Sequence, residues 1–146
     1  MEEDILNRLE KYFSKEENEL FLGRPVDNKV IEKAEKELNV KFDDNYKEFI
    51  SKFGGSYIGF PIYAFNNCDM LSEDTVVDLT NDFRTSYSYD KKYDIINKSY
   101  VISMDGNGDP IIINPKGEVL IYYHDNDIQE VISNSFKELI ETYLPK

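Results

Sequence analysis

Cysteine and histidine are almost absent from this chain of 146 residues: Cys68 is the one cysteine and His124 the one histidine. A lone cysteine excludes an intrachain disulfide and suits a reducing compartment. A structural zinc site of cysteine and histidine ligands needs four, and only two such residues exist. A Cys–His nucleophilic pair has both members, yet no local signature surrounds either one. His124 reads instead as a strand-end residue among Tyr122, Tyr123, Asp125 and Asp127. Long apolar runs are missing too, since none approaches the roughly 18 residues of a membrane span. Met1-Glu-Glu-Asp4 is acidic where a signal peptide is basic. The expectation is a soluble, cytoplasmic chain with no membrane partner.

Basic residues are scarce: 17 Lys and Arg stand against 29 Asp and Glu, a net charge of −12. Residues 66 to 130 hold 13 acidic and 5 basic residues, so the excess concentrates in the middle of the chain. Such a field repels nucleic acid and speeds encounter with a basic protein. A phosphate-cradling loop is also missing, because Gly106-Asn-Gly108 is not followed by Gly-Lys-Ser/Thr. With candidate nucleophiles and ligands isolated, an enzyme has little to build on. Chance pairs of carboxylates are expected among so many acids. No cofactor and no metal are implied.

Residues 101 to 123, VISMDGNGDPIIINPKGEVLIYY, carry the strongest local signal. Asp105-Gly-Asn-Gly-Asp-Pro110 and Pro115-Lys-Gly117 are turn chemistries that join three apolar runs into an antiparallel meander. The first turn predicts a positive φ at Gly106 or Gly108. Asp105, Asn107 and Asp109 also occupy the first, third and fifth places of an EF-hand calcium loop. The sixth and twelfth places hold Pro110 and Lys116 instead of the required glycine and glutamate, so a plain hairpin turn is the better reading.

Helical spacing dominates the first third. Ile5, Leu6, Leu9, Tyr12 and Phe13 share a face of a helix over residues 2 to 17. Asp27 caps a second helix with a Val30, Ile31, Ala34 and Leu38 stripe ending near Asn39, and Val26 staples onto Ile31. Asp43 or Asp44 caps a third helix, with Tyr46, Phe49, Ile50 and Phe53 buried and Gly54-Gly55 as its stop. Residues 57 to 60 and 62 to 65 read as short strands broken at Pro61. Ser72 is the expected cap of a fourth helix in which Val76, Leu79, Phe83 and Tyr87 face the core. Ser135 with Glu138 resembles a capping box before a last helix that Pro145 closes. No repeat or linker divides the chain, so residues 1 to 146 form a single expected domain. Its class is α+β, with helices packed on a mostly antiparallel sheet.

Binding is the function class these residues favour. Glu73, Asp74, Asp78 and Asp82 lie on the outer face of the expected fourth helix, and Asp125 and Asp127 add to them. This face either meets a basic partner, mimicking the phosphates such a partner recognises, or is simply solvated. Tyr89 and Tyr93 beside it are candidate anchors, because tyrosine buries much area at little entropic cost. Tyr87 continues the buried stripe and is assigned to the core.

Three stretches in this order resemble the SUKH superfamily, proteins related to the yeast cell-wall assembly regulator and abundant as bacterial immunity proteins. The first is VIEKAEKELNVKFDDNYKEFISKFGG from Val30 to Gly55, like the family's paired helices ending in a small-residue turn. The second is VISMDGNGDPIIIN from Val101 to Asn114, like its strand, Gly/Asp turn, strand signature. The third is SFKELIETYL from Ser135 to Leu144, like its terminal helix. Phe53 departs from the asparagine that many relatives place before the glycine pair, and Asp43 from their proline. The resemblance implies a cytoplasmic immunity protein that binds and neutralises a cognate toxin, often a nuclease. Other members look like non-toxin, protein-binding adaptor domains of regulatory systems. Toxin contacts vary between such families, so no site residue transfers by motif.

Overall fold

A computed structural model describes residues 1–87, 93–126 and 128–145, and of residues 93 and 94 only the backbone. Helices lead: α1 (Glu3–Ser14), a 3-10 turn (Glu16–Phe21), α2 (Asn28–Leu38) and α3 (Asp44–Phe53). The small strands β1 (Ser56–Tyr57) and β2 (Pro61–Ile62), then α4 (Val76–Ser86) and α5 (Tyr93–Ile96), come next. Strands β3 (Tyr100–Met104), β4 (Pro110–Ile113), β5 (Val119–Tyr123) and β6 (Ile128–Ser133) form an antiparallel sheet in chain order, and α6 (Phe136–Tyr143) follows. The fold is α+β, as the sequence implied.

The meander strands are buried on both faces, which is why they read as unbroken apolar runs rather than alternating ones. Ile102, Ile111, Ile113, Val119 and Ile121 join the main core with α1, α2, α3 and α6. Val101, Ile112, Leu120 and Tyr122 point the other way and pack with Phe83, Tyr87 and Ile96. Tyr87 is therefore a core residue, its ring 4.5 Å from that of Tyr122. Tyr46 centres the main core: it is fully buried between Phe42, Tyr100 and Phe136, and its hydroxyl donates to the Tyr63 carbonyl at 2.7 Å.

The expected cap residues are in place at α2, α3 and α6, although at α6 only the Ser135 half of the expected capping box forms. Asp27 accepts the Lys29 N–H, Asp43 accepts those of Asn45 and Tyr46, and Ser135 accepts that of Glu138. Val26 and Ile31, the expected staple, share the main core. Gly108 takes φ +81° in the first meander turn, while Gly106 does not take a positive φ.

Four expectations need correction, and one strand was not expected at all. The first helix ends at Ser14, and the 3-10 turn replaces its last residues. Val30 is 41% exposed, because α2 turns its stripe of Ile31, Ala34 and Leu38 inward and leaves Val30 beside it. The strands around Pro61 shrink to two residues each, with Pro61 opening β2. Strand β6 is not announced by the sequence pattern; its mixed burial, with Ile128 and Val131 exposed, reflects an edge position that hides the alternation.

The fourth correction bears on the candidate site. Helix α4 starts at Val76 with Thr75, not Ser72, as its cap. The Thr75 hydroxyl accepts the Asp78 N–H at 3.1 Å and the Asp78 carboxylate accepts the Thr75 N–H at 3.0 Å, a reciprocal capping box. Glu73 and Asp74 therefore precede the helix instead of sharing its outer face.

Candidate protein-binding surface

The acidic residues expected on one helical face separate into distinct roles. Asp82 is exposed on α4, as expected. Asp78 is exposed too, but its carboxylate is engaged in the capping box. The Asp74 carboxylate accepts the Ser72 hydroxyl at 2.9 Å, and Glu73 stands on the rim of a neighbouring cleft. Asp125 lies on the turn after β5, its carboxylate 3.1 Å from Nε2 of the His124 ring. Tyr89 and Asp127 lie outside the described residues, as does the side chain of Tyr93, whose backbone opens α5.

The loop from residue 66 to residue 75 is what gathers acid near the start of α4. Asn67 organises it: its Oδ1 accepts the Ala64 N–H at 2.9 Å, and its Nδ2 donates to the carbonyls of Ser72 and Asp74 at 3.0 and 2.7 Å. The Val76 N–H donates to the Ala64 carbonyl at 2.9 Å, so the loop leaves the core and returns to it at one place. Between this loop and the 3-10 turn opens a cleft of about 580 Å³. Its lining includes Glu19, Leu20, Arg24, Asp69 and Glu73. Sequence reading missed Glu19 and Asp69 because they sit outside any periodic segment. The one available sign was Leu20-Phe-Leu22, an apolar group with no place in the α1 stripe.

Cys68 is buried in the same loop, where burial pushes its thiol up. A raised thiol is poorly ionised and a weak nucleophile. His124 is engaged elsewhere: Nδ1 bonds the Asp109 carboxylate and Nε2 meets Asp125. The two residues of the conceivable dyad thus sit in different parts of the fold, Cys68 in the loop before α4 and His124 at the end of β5.

Asp109 and Asp105 spend their carboxylates on the turn. Asp105 accepts the N–H groups of Asn107 and Asp109, both at 2.9 Å. Asp109 accepts the His124 N–H at 3.0 Å together with its ring, joining the β3–β4 turn to the end of β5. The backbone N–H of His124, with its ring, holds the Asp109 carboxyl below the usual carboxylate range. A lowered native pKa stabilises the fold above the unfolded value, about 3.9, and that contribution disappears as pH falls through the lowered native value. Asp109→Ala is expected to cost about 1–3 kcal/mol at pH 7 and to flatten the acid limb of the stability profile. Urea unfolding between pH 2 and 7 measures both; an unchanged acid limb in the variant contradicts this role.

Residues 2–145 match the model of a family described as SUKH_5, SMI1-KNR4 cell-wall. The chain belongs to the SUKH_5 family. The match spans nearly the whole chain, so the acidic loop, α4 and the cleft all lie on the family fold. No curated protein matches this SUKH_5 chain. Among the described residues, no helix is long and apolar enough to cross a membrane.

Proposed function

We propose that this SUKH_5 protein is a cytoplasmic immunity protein that binds and neutralises a cognate bacterial toxin domain of basic character, a nuclease being the best fit. The observation that carries the reading is the placement of exposed acid around the start of α4, beside an open cleft, in a SUKH_5 chain of net charge −12. A basic nuclease presents to nucleic acid a surface complementary to such a field, so covering that surface blocks substrate. In this reading Glu73, Asp74, Asp78 and Asp82 attract the partner and Tyr89 and Tyr93 supply anchors, with Asp125 and Asp127 extending the field. No metal or cofactor enters.

Co-expression tests the proposal. A basic toxin domain encoded beside this chain's gene is produced in a susceptible cell, with and without the SUKH_5 protein. The expected result is restored growth and a complex that co-purifies. Undiminished toxicity with the immunity chain folded and abundant overturns the reading. Stable binding to a non-toxic regulatory protein would instead support the adaptor function.

A further inference from the structure

The cleft beside the 66–75 loop has a floor that cannot readily deform. A Cβ on Gly23 would stand 2.1 Å from the Gly55 carbonyl oxygen, and one on Gly55 would stand 1.8 Å from Asn67 Oδ1. The three segments therefore meet nearly backbone to backbone. Their hydrogen bonds close the junction: Gly23 N–H to Ser56 Oγ at 2.9 Å, Arg24 N–H to the Asn66 carbonyl at 3.1 Å, and Cys68 N–H to the Gly55 carbonyl at 2.8 Å. A site held this way loses little conformational freedom when a ligand enters.

Charge and exposure say what enters. Glu19, Asp69 and Glu73 line the cleft against one cation among the described residues, Arg24, a balance that disfavours phosphate and favours a positive group. Leu20 in the lining is 59% exposed, and Met70, between the lining residues Asp69 and Leu71, is 55% exposed. Large apolar side chains left in water beside carboxylates match a ligand with an apolar flank and a cationic head. Arginine fits better than lysine, because its planar guanidinium is weakly hydrated and engages carboxylates in pairs.

We propose that this cleft receives an arginine from an extended segment of the partner protein, its guanidinium against Asp69, Glu73 or Glu19 and a neighbouring apolar residue against Leu20 and Met70. For its biological partner the proposal rests on the toxin-binding reading. The cleft chemistry can be tested without any toxin. The probe is a capped Leu-Arg-Leu tripeptide, compared with the same peptide carrying neutral citrulline, titrated into the full chain and followed through backbone amide resonances.

The expected result is saturable shifts confined to residues 19–24 and 66–73, at least about tenfold weaker with citrulline. Asp69→Asn with Glu73→Gln is expected to remove the difference between the two peptides, and its amide spectrum reports whether it is folded. No saturable shifts, equal response to citrulline, or shifts centred on α4 each overturn the proposal. Growth protection measured in parallel separates the two ideas: protection without peptide binding removes the arginine cleft and leaves the immunity function. Peptide binding without protection does the reverse.

Discussion

Gly54→Ala is expected to destabilise the protein by at least about 3 kcal/mol, because backbone strain and overpacking act together there. Gly54 ends α3 at φ +66° and ψ −158°, a combination open almost only to glycine. A Cβ would also stand 1.9 Å from the carbonyl oxygen of Arg24, a backbone atom that cannot move without shifting the segment it belongs to. That segment is the wall of the cleft, so the substitution should also blunt any binding there. Gly106 provides the control: it has no positive φ and nothing within 4 Å of where a Cβ would stand, so alanine there should stay within about 0.5 kcal/mol. Gly108 falls between, with φ +81° but open space, at about 1 kcal/mol. Urea unfolding of the three variants gives the order directly. Equal losses at Gly54 and Gly106 would mean that the backbone crossing is not as tight as the geometry says.

Reversing charge at Asp74 and Asp82 is expected to slow association with a basic toxin domain by roughly 10- to 100-fold at low salt. Long-range attraction acts before contact, so dissociation should change little and the salt dependence of the association rate should become shallower. The choice of residues follows from the structure. Asp78→Lys would remove half of the capping box and weaken α4 itself, mixing stability with steering. Glu73 lines the cleft and is left in place so that steering is tested apart from anchoring. Asp74 and Asp82 are exposed, and among the described residues the one bond at stake is from the Ser72 hydroxyl to Asp74. Stopped-flow mixing across a range of salt measures the effect. An unchanged rate at low salt, in a variant with the parental melting temperature, makes the acid around α4 a solubility feature.

Much of the scaffold was legible because short-range chemistry produces it. Asp27, Asp43 and Ser135 cap helices through bonds to residues two or three positions away, so the sequence carries both partners in one window. Asp105 folds onto Asn107 and Asp109 for the same reason. The misplaced start of α4 shows the limit. Ser72 and Thr75 are both acceptable caps, and the choice between them rests partly on Asn67, which ties down the Ser72 and Asp74 carbonyls from outside the helix. Strand β6 escaped because an edge strand exposes apolar residues that periodicity expects to be buried.

Sequence alone therefore determined the α+β class, the helical stripes, the meander and its turns, the acidic middle and the family. Each depends on local spacing, on composition, or on a pattern carried along the whole chain. Tertiary structure decided which acids lie together. Glu19, Asp69 and Glu73 come from the 3-10 turn and a distant loop, and they share a cleft only because Gly23, Gly54 and Gly55 let backbones meet. Such a crossing needs the absence of side chains at positions more than thirty residues apart, and no local pattern announces an absence that matters only once the chain has folded.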